Sequence, residues 1–210
     1  MTDLIIYGAS DYALEVAWTV EEHNKSMAEM NHHKWKLVGF LDDDEKKDAL
    51  GDKTWLSKNN PKDYYFHVAI GNPKAKKEVV EYLDSFGVKY ANIVHPSVIM
   101  PEIKLGNGCY IGAGNILTVG VELRDHVIIN LGCTIGHKTS IGKYSCINPG
   151  CNISGGTTIE EGVYVGTNAV ILQNRKIGKY SIIGASAMVN KDVLSYSKVM
   201  GVPARISIDK

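Results

Sequence analysis

An excess of charge of either sign, a long apolar run and a CxxC cysteine pair are all missing from this 210-residue chain. Lys plus Arg number 23 and Asp plus Glu number 23, which leaves no electrostatic footprint for nucleic acid or an anionic membrane surface. No uninterrupted apolar stretch is long enough for a bilayer, and the opening MTDLIIYGAS has no basic segment followed by an apolar one. The expectation is a cytoplasmic protein with no membrane insertion. Four cysteines, Cys109, Cys133, Cys146 and Cys151, are expected to pack in a reducing compartment rather than to hold a metal or a disulfide. The GxGxxG fingerprint is also absent, since the first apolar run ends in YGASDYA, and this argues against NAD.

What the chain has instead is a period of six. Counting in sixes from Ile99 through Leu105 and Ile111 to Ile183 and Val189 lands on an aliphatic residue sixteen times. At 44% apolar content such a run arises by chance on the order of two times in a million. A helix repeats at 3.6 and a flat strand at 2, whereas six fits a chain that turns a corner after each short strand. Each side of the resulting triangular prism buries one aliphatic side chain. Three hexads make a coil, and coils stacked at a strand spacing of ~4.8 Å give a prism about 25 Å long. Gly106, Gly112, Gly136, Gly142, Gly166, Gly178 and Gly184 follow the aliphatic, with Asn130, Asn148 and Asn190 at the same place. They are expected to supply unusual backbone angles at the corners. Two residues before the aliphatic the side chains are mostly small or β-branched, as at Cys109, Cys133, Thr139, Ser145, Cys151 and Ala169.

The first ninety residues alternate differently. LIIYG, KLVGFLDDD, YFHVAIGN and ANIVHP read as strands, with helices over Tyr12 to Glu22 and Pro73 to Phe86, so a small parallel α/β sheet is expected. NKSMAEMNHHKWK has no clean period and reads as a long mobile connection. HPSVI reads as a hinge. The domains are therefore expected at 1–95 (α/β), 96–194 (solenoid) and 195–210, a tail that caps the last coil where the period stops after Val189.

His137 lies beyond a turn glycine, two residues after Ile135, where its side chain faces outward. An imidazole titrating near neutrality suits proton transfer, although spacing alone is equally consistent with an ordinary surface histidine. In the α/β part, Gly8 and Ser10 open the first helix and let a phosphate approach its N-terminus.

From LIIYGAS through IINLGCTIGHKTSIGKYSCINPGCNISGG to GVPAR, the chain resembles the sugar-nucleotide acetyltransferases of the bacillosamine-pathway, perosamine and sialic acid groups. That resemblance implies a Rossmann-like nucleotide-sugar-binding domain followed by a left-handed parallel β-helix of hexapeptide repeats. It implies His137 as general base with Asn130 seven residues before it, and acetyl-CoA in a groove touched by Cys146, Gly155, Thr167 and Ala185. Gly155, eighteen residues beyond His137, is expected directly above it, with its N–H aimed at the thioester oxygen. The nucleotide sugar is implied at Ser10, Asp11, Tyr12, Asp42, Asp43, Gly71 and Asn72. The implied assembly is a homotrimer with the site between subunits. The implied reaction moves acetyl from acetyl-CoA to the C4 amine of a UDP-, dTDP- or GDP-linked deoxysugar. Sialic-acid-type O-acetylation and a non-catalytic sugar-nucleotide binder are the alternatives.

Three positions depart from the family pattern. Lys138 stands where many relatives have an acidic residue after the base, and a nearby ammonium favours neutral imidazole. Cys146 replaces a frequent second His, and Ser10-Asp11-Tyr12 replaces Gly-Gly-His or Ser-Gly-His. A zinc carbonic anhydrase on the same scaffold needs three converging His ligands. His95, His126 and His137 are spaced 31 and 11 apart, which does not match the eighteen-residue coil, so no metal is expected.

Overall fold

Near the start of the chain, Leu4, Ile5 and Ile6 have no exposed surface, as befits a strand covered on both faces. This is β1 (Thr2–Tyr7), followed by α1 (Asp11–Ala28), β2 (Trp35–Leu41), α2 (Trp55–Lys58), β3 (Tyr65–Val68), α3 (Pro73–Asp84), β4 (Lys89–Tyr90) and β5 (Ile93–Val94). The computed structural model describes residues 1–28, 34–44 and 49–207, and the chain divides into two compact units, Met1–Pro96 and Ser97–Lys210. In the first, the sheet runs in the order β2-β1-β3-β4 with every pair parallel. Helix α1 extends past Glu22, so the first part of the expected mobile connection is helical. Its polar composition has a local cause. The Asn24 amide donates to the Trp35 carbonyl at 2.7 Å and accepts from the Trp35 N–H at 2.9 Å, tying the helix to the first residue of β2. The remainder of that connection, 29–33, lies outside the described residues.

The second unit is a three-sided parallel β-solenoid. One face stacks Tyr110–Ile111, Ile128–Ile129, Cys146–Ile147, Tyr164–Val165 and Ile182–Ile183. The second stacks Ile116–Leu117, Thr134–Ile135, Asn152–Ile153, Val170–Ile171 and Met188–Val189. The third stacks Lys104–Leu105, Glu122–Leu123, Ser140–Ile141, Thr158–Ile159 and Lys176–Ile177. Every hexad aliphatic from Ile111 to Val189 is at most 2% exposed. Of the residues two before them, Cys109, Cys133, Thr139, Ser145, Cys151 and Ala169 are wholly buried, whereas Arg175 is half-buried.

Three expectations need correction. Ile99 begins the count but is 66% exposed, and Leu105 is half-buried, because the coil they belong to has only one stacked neighbour within the solenoid. The period does not stop at Val189. It drops two residues, so Val193 pairs with Ile177 and Val199 with Ile183, and both remain buried. The chain then folds back antiparallel through Arg205–Ile206. Finally, the glycine directly after each aliphatic does not take unusual angles. Positive φ falls two residues later, at Gly114, Gly132 and Gly156 and also at His126, Lys138, Tyr144 and Tyr180. The glycine after the aliphatic serves close approach instead: a Cβ on Gly142 would lie 2.5 Å from the Glu160 carbonyl carbon and the Glu161 nitrogen of the next coil.

Candidate active site

The three corners of the solenoid sort the candidate residues. His137 and Gly155 share the corner between the second and third faces, one coil apart, as the Gly156 N–H to His137 carbonyl bond at 2.8 Å records. Asn130, Thr167 and Ala185 share the corner between the first and second faces. The second face, which joins these two corners, carries a shallow recess of about 230 Å³ lined by Ile116, Thr118, Thr134, Gly136, Asn152 and Ser154.

His137 is exposed, and its ring makes no hydrogen bond, ion pair or ring contact with any described residue. Gly155 lies beneath it. A Cβ at Gly155 would sit 2.5, 2.6 and 2.7 Å from Cε1, Nε2 and Nδ1 of the imidazole. Near-equal distances to three consecutive ring atoms place that position over the ring face. The N–H groups of Gly155, Thr167 and Ala185 bond to no described residue, so an extended ligand with amide carbonyls finds donors along these corners. That fits the pantetheine arm of acetyl-CoA. Other corners leave the same donor unused, so the fit becomes selective only beside His137.

Two implied residues have other duties. Cys146 is 2% exposed, with Sγ 3.9 Å from Asn148 Oδ1, so its thiol lies below the surface of the first face. Asn130 accepts from the Leu131 N–H at 2.8 Å and sits one whole face away from His137, with no bond between them. Sequence reasoning overlooked Asn115. It stands, wholly buried, where the pattern asks for a small residue. Its amide donates to Gly112 and Asn130 carbonyls at 2.7 and 2.8 Å and accepts from the Cys133 N–H at 2.7 Å. A polar residue in a column of small ones was the available signal.

In the α/β unit the candidate residues surround the carboxyl ends of β1, β2 and β3. Gly8 has φ +110°, and a Cβ there would lie 2.7 Å from the Ala69 carbonyl oxygen, so β1 and β3 meet tightly below the loop. Ser10 and Asp11 are exposed and Tyr12 is half-buried. Asp42 accepts from the Ala9 N–H at 2.7 Å and the Asp44 N–H at 2.9 Å. Asp43 accepts from the Tyr7 hydroxyl and the Lys53 N–H, both at 3.1 Å. Burial first, then the Asp43 carboxylate, drives the Tyr7 phenol far above its ordinary value. Gly71 is half-buried, and Asn72 caps α3 by accepting from the Lys74 and Ala75 N–H groups. A recess of about 400 Å³ opens beside Asp42, lined also by Asp44, Leu50, Asp52, Trp55 and Lys58. Of these only Asp42 was singled out from sequence, since Trp55 and Lys58 fall on a short helix without periodic signal.

Within the solenoid, His126 and His137 of the zinc alternative occupy different corners. His126 stacks on Tyr144 at the corner between the third and first faces, and His95 packs on Trp18 in the α/β unit.

Residues 3–83 match the PglD N-terminal domain, and residues 156–191 match the bacterial transferase hexapeptide of six repeats. Residues 3–83 thus carry a PglD-type N-terminal domain and residues 156–191 carry transferase hexapeptide repeats. The solenoid is accordingly a left-handed β-helix of the hexapeptide class. The chain is 33% identical over 125 residues to a GDP-perosamine N-acetyltransferase of Escherichia coli O157:H7, a match covering 58% of this chain and 55% of that one. It thus spans about half the length of the curated relatives it matches. The acetyltransferase domain of PglB from Neisseria gonorrhoeae, solved with acetyl coenzyme A, is 26% identical, with 98% of each chain covered and a TM-score of 0.85. PerB from Caulobacter crescentus, solved with CoA and GDP-perosamine, shares the fold at 23% identity, covering 99% of this chain and 98% of that one, with a TM-score of 0.85. No helix among the described residues is long and apolar enough to cross a membrane.

Proposed function

We propose that this chain transfers acetyl from acetyl-CoA to the C4 amine of a nucleotide-linked amino-deoxysugar, with His137 as general base. The observation that carries the reading is the exposed His137 imidazole, uncommitted to any described residue, over the Gly155 corner and beside the recess of the second face. Relatives named for sugar N-acetyl transfer and solved with CoA or acetyl-CoA give the substrate class. Acetyl-CoA supplies an acetyl group already activated as a thioester. His137 takes the proton that the amine loses as it attacks, a task typically contributing ~10²–10⁴-fold, and as the C–S bond breaks CoA leaves and receives that proton as its free thiol. The Gly155 N–H donates to the carbonyl oxygen where negative charge develops. The cofactor arm runs past Thr167 and Ala185, and the α/β unit binds the nucleotide through Ser10, Asp11, Tyr12, Asp42, Asp43, Gly71 and Asn72.

A full prism face separates Asn130 from His137 within one chain. We therefore place the site between neighbouring copies of a homotrimer, where Asn130 of one and His137 of another border one groove. Ile116 and Val119, 42% and 63% exposed, flank that groove with apolar surface suited to a neighbour. Light scattering of the purified protein at three times the chain mass supports the trimer; a monomer refutes it.

Thiol release from acetyl-CoA, measured against UDP-, dTDP- and GDP-linked 4-amino-4,6-dideoxysugars with 4-hydroxy controls, tests the activity. Turnover with one amino sugar is expected. Turnover only with hydroxyl sugars reassigns the protein to O-acetylation, and silence despite acetyl-CoA binding removes the nucleotide amino sugar as acceptor.

A further inference from the structure

Among the fourteen corner residues two places after an aliphatic, from Asn107 to Ala185, glycine occurs once, at Gly155. The other thirteen carry side chains as varied as Leu131, Pro149, Glu161 and Gln173, so the corner itself places no demand for glycine there. The backbone makes no such demand either, because the positive φ at this corner belongs to Gly156. What distinguishes Gly155 is its neighbour. The residue stacked beneath a corner side chain one coil away is the surface on which that side chain rests, and the imidazole of His137 lies face-on against the Gly155 α-carbon, inside the volume that any Cβ would fill.

We infer that Gly155 is a positioning residue, the seat that fixes the plane of the His137 ring by packing alone. This rests on the reading of His137 as general base. A general base must be held with its nitrogen within hydrogen-bond reach of the proton it removes, and sub-ångström precision comes from supporting contacts. In many carboxylate-assisted histidines that support is a hydrogen bond to one ring nitrogen. Here the following residue is Lys138, whose side chain has no acceptor, and no described residue bonds to either nitrogen. Packing on the glycine leaves both nitrogens available, one to take a proton and the other to meet substrate or water. A methyl group at position 155 lifts or swings the ring from that plane and leaves the Gly155 N–H, the proposed oxyanion donor, chemically intact.

The test compares Gly155→Ala, His137→Ala and the double variant with the unaltered protein. The readouts are kcat, acetyl-CoA affinity by calorimetry, melting temperature, and the His137 ring resonances by NMR, assigned by their loss in His137→Ala. Gly155→Ala is expected to shift those resonances and to lower kcat ~10- to 100-fold, part of what a general base contributes, with acetyl-CoA affinity held within threefold. Adding Gly155→Ala to His137→Ala is expected to change kcat by less than twofold, since no ring remains to displace. Unshifted resonances in a folded Gly155→Ala, or loss of acetyl-CoA affinity with kcat intact, overturn the seat and leave a cofactor contact. Should Gly155→Ala melt early, recovery of stability in the double variant supports the clash with the ring, and failure to recover refutes it. If His137→Ala keeps full turnover, the general-base reading fails and the positioning role fails with it, even where the resonance shift shows the ring resting on Gly155.

Discussion

The two units spend their polar side chains in opposite ways. In the solenoid, backbone groups are satisfied coil to coil, so His137 and the corner N–H groups of Gly155, Thr167 and Ala185 have no bonding duty among the described residues. In the α/β unit, Asp42, Asp43 and Asn72 already close a loop, clamp Tyr7 and cap α3. A periodic scaffold needs one aliphatic and one small residue per side and leaves its corners open to specialisation. An α/β sheet of four strands has to tie each irregular loop at the strand ends, which is where the recess beside Asp42 opens. Replacing a corner residue should therefore change chemistry with little effect on folding, and replacing a loop carboxylate or cap should change both.

The strongest way to break this contrast is His137→Ala. Turnover is expected to fall ~10²–10⁴-fold, with the melting temperature unchanged because the ring is exposed and bonds to nothing described. A large loss of stability would show that the corner is part of the frame after all. Next in size is the core itself. Ile147→Ala, at a wholly buried position in the middle of the first face, is expected to cost about 2–5 kcal/mol in denaturant unfolding. Ile99→Ala, in the same sequence period but 66% exposed, is expected within about 0.5 kcal/mol of neutral. Equal costs would mean that the period, not the burial, reports the core.

A smaller effect is expected from Asn72→Ala. Its side chain accepts two backbone N–H groups at the start of α3, and losing such a cap costs about 1 kcal/mol. If Asn72 serves the cap alone, stability falls while the Michaelis constant for the sugar nucleotide stays put. A rise in that constant as well would give the residue both roles.

The sixfold period made the solenoid legible because each hexad repeats the same physical requirement, and errors in locating the core appeared only where that requirement lapses. Ile99 keeps the spacing but belongs to a coil with one neighbour, and Val193 keeps the burial but loses the spacing. The glycines were visible, yet their reason was misread: Gly142 answers to the backbone of the next coil, while positive φ passes to residues such as Tyr144. There the aromatic ring offsets the backbone cost by stacking on His126 at 5.6 Å. At the candidate site the eighteen-residue offset placed Gly155 against His137 correctly. It said nothing of which group fills the space between them, because ring orientation is a packing property. In the α/β unit the acidic pair was visible, but its bonds to Ala9 and Tyr7 span more than thirty residues and leave no local pattern. Trp55 and Lys58 line the recess from a four-residue helix that no period announces.

The finest distinction concerns charges that do belong to the solenoid frame. Asp125 sits at the corner between the third and first faces. It accepts from the Asn107 N–H at 3.0 Å and pairs with Lys143 at 2.7 Å, so it ties three successive coils. Burial alone would raise its carboxyl. The Lys143 ammonium and the Asn107 N–H outweigh that and hold it below the ordinary aspartate value. A carboxyl depressed in the folded state stabilises above the unfolded value of about 3.9, and that contribution is lost as pH falls through the lower, folded value. Asp125→Asn is accordingly expected to lower stability by at most about 1 kcal/mol at pH 7, the usual ceiling for a partly exposed pair. The gap from the unaltered protein should close in acid below pH 4, as urea midpoints measured from pH 7 to pH 2.5 will show. A gap that persists unchanged into acid would mean that Asp125 acts through shape and hydrogen bonding rather than charge, and would return this corner to the same class as its uncharged neighbours.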